Sequence, residues 1–113
     1  KGMKGIFAFD VAVVAETKNA YVAIECNPRF NGASYPTGIA QKLKIKSWSS
    51  ENFATTYRSI TDIDLSGIEF DSATGKGVAI VNWGSVLVGK LGILIAGSIE
   101  EQERLRGILK ERL

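Results

Sequence analysis

The chain contains no histidine in its 113 residues, which removes a Ser-His-Asp triad and any histidine-based zinc site. It has a single cysteine, Cys26. Cys26 has no partner for an intramolecular disulfide, so a reducing, cytoplasmic setting is expected. With no imidazole to activate it, the thiol reads as a small buried hydrophobe and not as a nucleophile. Strong charge of either sign is also missing. A formal net charge of +2, with 23% charged residues, is too small to imply nucleic acid or an anionic membrane as a partner. A long apolar run is lacking too, because residues 78–97 are interrupted by Asn82, Gly84, Ser85, Gly89, Lys90 and Gly92. That stretch reads as two strands and no membrane span, and no signal-peptide pattern is visible. A hydrophobic fraction of 45% at this length suits one small core.

Polar side chains are concentrated in one place that otherwise reads as a strand. Residues 6–15 (IFAFDVAVVA) and 20–26 (AYVAIEC) are rich in β-branched and aromatic residues, and Glu16-Thr17-Lys18-Asn19 between them reads as a hairpin turn. The second strand continues into Glu25-Cys26-Asn27-Pro28-Arg29 and then Phe30-Asn31-Gly32. Alternation puts Glu25, Asn27 and Arg29 on one face and Cys26 on the other. A two-residue turn at Thr17-Lys18 sets Asp10 opposite Glu25, and a one-residue slip sets it opposite Asn27. Directly opposed Cβ atoms lie within about 5.5 Å, so the two acids repel unless a cation lies between them. A carboxylate pair, an amide oxygen and a guanidinium suit a hard cation and the phosphate it carries. The alternative is a solvated strand face on which Glu25 and Arg29 form an ordinary surface ion pair.

The stretch from Gly5 to Gly32, with an acid on the first strand and Glu-x-Asn-x-Arg on the second, resembles the C-terminal metal-binding hairpin of the ATP-grasp superfamily. The Asn-Pro-Arg-Phe-Asn-Gly run is similar to that of its carboxylate–amine ligases, including amino-acid and peptide ligases. The resemblance implies Asp10, Glu25 and Asn27 as ligands of Mg2+ (or Mn2+). It implies Arg29 as the catalytic contact to phosphate or acyl phosphate and hence to the co-substrate ATP. Asn31 in the loop that follows is a candidate second contact to ATP, against the commoner use of such residues in forming the loop itself. The implied activity is ATP-dependent ligation of a small carboxylate to an amine through an acyl phosphate. The lysine-bearing glycine-rich hairpin and adenine pocket of such ligases have no counterpart in these residues. The chain is therefore expected to be part of a longer enzyme, inactive alone, with a self-associating surface that gives a homodimer. A non-catalytic binding module that keeps the hairpin as scaffold is the alternative.

The remaining sequence suggests an α+β fold: a mostly antiparallel sheet with a few covering helices, matching the C-terminal subdomain of an ATP-grasp fold. The expected division is 1–44, hairpin and following helix, and 45–113, an α+β portion packed with it as one domain. Thr37 is positioned to cap a short helix through Ile39, Ala40 and Leu43. Lys42, Lys44 and Lys46 read as a solvated strand or helix end. The type of residues 47–60 is not settled by their pattern. Thr61 or Asp62 reads as a helix N-cap followed by acids. Asp71 to Gly77 reads as a surface loop whose Gly-Lys-Gly lacks the spacing of a P-loop. Strands at 78–82 and 91–96 precede a helix announced by Ser98 and Glu101, with Leu105, Ile108 and Leu109 as its apolar stripe.

Overall fold

The computed structural model describes residue 2, residues 4–14 and residues 20–113, so the expected turn at Glu16 to Asn19 lies outside the described residues. The class is α+β, with small antiparallel sheets and two α-helices. The chain divides into two compact units, Lys1–Tyr35 and Pro36–Leu113. Instead of one sheet there are two separate ones, of two and three strands.

The first unit is a hairpin of β1 (Ala8–Val14) and β2 (Ala20–Asn27). Pairing runs Val14↔Ala20 to Val11↔Ala23, then skips Ile24 and resumes at Asp10↔Glu25, Phe9↔Cys26 and Ala8↔Asn27. Ile24 is thus the extra residue of a β-bulge, which locally breaks the ladder and bends the strand that carries it.

In the second unit the sheet order is β3 (Trp48–Ala54), β5 (Lys90–Ala96), β4 (Gly77–Asn82), all antiparallel. Central β5 is apolar at nearly every position because both of its faces are covered. Leu91, Ile93 and Ile95 pack with Leu105 and Leu109 of α2 (Ile99–Arg112), whereas Leu94 and Ala96 pack with Ala40 of α1 (Ser34–Lys42). Each fully buried Leu or Ile here contributes roughly 1.5–3 kcal/mol of hydrophobic stabilisation. The same packing assigns residues 36–44, grouped with the hairpin by the sequence, to the second unit.

α2 begins as its capping residues require, with Ser98 Oγ accepting from the Glu101 N–H at 3.3 Å. It is clamped to the edge strand β3 by Arg106, which donates to Glu51 at 3.0 Å and to Ser49 Oγ at 2.6 Å. Two local expectations fail. α1 starts at Ser34, before Thr37, because Pro36 falls in the first turn, where no N–H is needed. The acidic stretch after Thr61 forms no α-helix. Ser59 caps a single 3-10 turn, Ile60–Asp62, and Asp64 then folds back to accept from the Ser66 N–H at 2.9 Å. Among the described residues, no buried side-chain nitrogen or oxygen lacks a partner, and no helix is long and apolar enough to cross a membrane.

Candidate functional site

The hairpin gathers the acidic pair through its bulge. From Val11 to Val14 the paired numbers sum to 34, a register that, if continued, would oppose Asp10 to Ile24; the bulge moves Asp10 onto Glu25. The count from a two-residue turn therefore names the right partner for Asp10 but is one residue out for Val11 to Val14. Directly opposed residues share a face, so Asp10 and Glu25 lie on the face of Ala8, Ala12, Val22 and Asn27. Tyr21 and Ala23, which unbroken alternation would set beside Glu25, fall instead on the face of Val13 and Val11.

β2 ends at Asn27, so strand alternation no longer governs Arg29. The chain turns at Pro28, with the Arg29 N–H donating to the Asn27 carbonyl at 2.9 Å. Arg29 still returns to the site, because its Nη2 donates to Asn27 Oδ1 at 3.1 Å and its Nη1 reaches the Phe30 carbonyl at 3.4 Å. The amide oxygen keeps a second lone pair free for a cation. Asp10, Glu25 and Arg29 are exposed and Asn27 is half-buried.

Asn31, the other expected ATP contact, is committed to structure. Its Oδ1 accepts from the N–H groups of Ala33 at 3.0 Å and Ser34 at 3.1 Å, while Ser34 Oγ accepts from the Asn31 N–H at 3.1 Å. This reciprocal arrangement resembles a capping box and starts α1. Its signal in the sequence was Asn followed three residues later by Ser. Cys26, expected to be buried, is exposed. Its parity was right, opposite Phe9 and away from Glu25, but the hairpin face it occupies is open. Phe9 is 52% exposed, Val13 73% and Tyr21 68%. Phe7 and Phe9 meet edge to face at 5.7 Å.

The donor set of two carboxylates and an amide oxygen is chemically suited to Mg2+, which prefers oxygen ligands and retains water. Among the described residues, no group of three or more His, Cys, Asp or Glu side chains could hold a metal, so a cation at the hairpin would depend on the Asn27 amide or on ligands from the nucleotide. Compared with family models, curated proteins and solved structures, the chain has no significant match.

Proposed function

We propose that the hairpin is the Mg-ATP face of an ATP-grasp carboxylate–amine ligase, acting within a longer polypeptide. The observation that carries this reading is the bulge-dependent opposition of Asp10 to Glu25, with Asn27 on the same face and the Arg29 guanidinium on its amide. Bulges are enriched next to active sites, where they re-aim side chains. The resemblance of the Glu-x-Asn-x-Arg strand to that superfamily adds the chemistry. Asp10, Glu25 and Asn27 would hold Mg2+, which when bound offsets the charge of the phosphate chain during phosphoryl transfer. Arg29, oriented by Asn27, would bind the transferred phosphate and the acyl phosphate made from the substrate carboxylate, before an amine attacks it. A guanidinium fits that role through its planar fork of donors. The open apolar face around Phe9 favours the second reading, a non-catalytic binding module.

Paramagnetic broadening of the NMR spectrum by Mn2+ tests the metal face. Broadening centred on Asp10, Glu25 and Asn27, strengthened by ATP and lost in the Asp10→Asn/Glu25→Gln variant, is the expected result. Broadening that spreads evenly over other acids, or that survives in the double variant, removes the metal site and with it the ligase reading. The purified chain is expected to bind Mg2+ weakly and to turn over no ATP; turnover that disappears in Asn27→Ala would overturn the claim of inactivity.

A further inference from the structure

A groove of about 620 Å3 lies within the unit Pro36–Leu113, between residues 43–47 on one side and residues 70–76 and 97–98 on the other. Its volume is that of a small-ligand site. Lys44, Lys46 and Lys76 line it, and no carboxylate does. The ion pairs among the described residues are all made by arginines, so none of these ammonium groups is in a salt bridge, and only Lys76 of the three is drawn toward a carboxylate, that of Glu101. Two acids beside the groove in sequence or space have hydrogen-bond partners of their own. Glu101 is gripped by Arg104 at 2.7 and 3.0 Å, and Asp71 accepts from the Ala73 N–H at 2.9 Å. Ile45 and Phe70 supply an apolar wall, half-buried and fixed against the Leu94 and Ala96 cluster.

Lys44 adds an independent observation. The Ile45 N–H donates to the Ala40 carbonyl at 2.8 Å and the Lys44 N–H to the Gln41 carbonyl at 3.2 Å, the bond pattern that ends a helix on a left-handed residue. That position is usually glycine, yet Lys44 occupies it at φ 55° and is the one non-glycine residue with positive φ among the described residues. Such a conformation costs a side-chain-bearing residue roughly 1–2 kcal/mol, and a cost of this kind at a ligand-sized groove points to a role for the side chain.

We propose that this groove binds a small phosphate monoester with an apolar or aromatic body, the dianion held by Lys44, Lys46 and Lys76 and the body lying on Phe70 and Ile45. Lysines serve phosphate as point charges, and Ser47, whose oxygen already accepts from Gln102 Nε2 at 3.4 Å, has its hydroxyl proton to offer. The site does not depend on the hairpin or on a metal.

The test is a titration of the whole chain with phenyl phosphate, in low salt and EDTA, followed by NMR shifts of its backbone amides. Shifts clustered at 43–47, 70–76 and 97–98 are expected, with tighter binding than that of inorganic phosphate. A Lys44→Gln/Lys46→Gln/Lys76→Gln variant should weaken binding about tenfold or more, equivalent to about 1.4 kcal/mol. A control variant, Lys4→Gln/Lys90→Gln/Lys110→Gln, loses the same charge from exposed sites and should bind as the parent does, as should Asp10→Asn/Glu25→Gln. Lys44→Gly separates backbone from side chain, because it should raise thermal stability while weakening phenyl phosphate binding. Absent or scattered shifts, equal loss in the control variant, or Lys44→Gly binding at full strength would each overturn the proposal. Binding no tighter than that of inorganic phosphate would overturn the assigned apolar body.

Discussion

Gly77 has φ 114°, and a Cβ built on it would lie 2.3 Å from the Glu69 carbonyl oxygen. The close approach belongs to the short pairing in which the Phe70 N–H donates to the Val78 carbonyl at 2.9 Å and the Val78 N–H to the Ile68 carbonyl at 2.7 Å. Gly77→Ala combines a left-handed backbone with a backbone clash, so it should destabilise the protein by about 3 kcal/mol or more, read as a lower urea midpoint with an unchanged slope. Asp71, in the same loop, gives a pH-dependent counterpart. Its bond from the Ala73 N–H, followed by that from Thr74, holds its carboxyl below the ordinary value of 3.8. A folded-state pKa below the unfolded one adds stability that is present above about 3.8 and is lost as pH falls through the lower folded value. Asp71→Ala should therefore be less stable than the parent at neutral pH, and the difference should narrow as pH falls below the ordinary carboxylate value and through the lower folded one. A gap that stays constant with pH would show that the loop is held without the carboxylate.

Helix α2 and strand β5 were legible in the sequence because several local signals agree on them. The Ser98–Glu101 cap, acids in the first turn and the Leu105–Leu109 spacing all specify one helix, and the apolar run of β5 specifies a strand covered on both faces. Ser98→Ala should cost about 1 kcal/mol through loss of the cap. Leu105→Ala, which opens the core under β5, should cost roughly 2–5 kcal/mol. Thermal or chemical unfolding of the two variants checks that order, and equal losses would mean that the helix is not held by its buried face. β3 was not legible. Its sequence WSSENFA buries only Phe53, with Trp48 and Ser49 half-buried, so no period of two survives in an edge strand whose position is set by hydrogen bonds to β5 and by Arg106. The bulge at Ile24 was equally hidden, because AYVAIEC alternates no differently with or without it. The 61–70 stretch misled for the opposite reason. Asp62 and Asp64 looked like the first turn of a helix, but Asp and Ser also satisfy nearby backbone N–H groups in turns, and that competing use prevailed at Ser59–Thr61 and Asp64–Ser66.

At the scale of the whole molecule the two units differ in what secures them. Pro36–Leu113 holds a three-stranded sheet with a helix packed on each face of its central strand, whereas Lys1–Tyr35 holds a two-stranded hairpin whose Phe7, Phe9, Val11, Val13, Tyr21 and Ile24 are all exposed. A two-stranded hairpin is marginally stable in water without a third strand or a covering layer. In dilute solution, amides of β5 should exchange with solvent only through global unfolding, and amides of β1 and β2 should exchange orders of magnitude faster. Open strand edges and an apolar face are also templates for pairing. Self-association through the hairpin, in its simplest form a two-fold dimer, is therefore expected as concentration rises. Hydrogen exchange and light scattering across a hundredfold concentration range give a joint test. Protection of β1 and β2 should increase together with molecular mass, while protection of β5 stays fixed. Growth in mass without added protection of the hairpin would place the association elsewhere. A monomer whose hairpin is strongly protected at every concentration would show that the first unit closes without any partner.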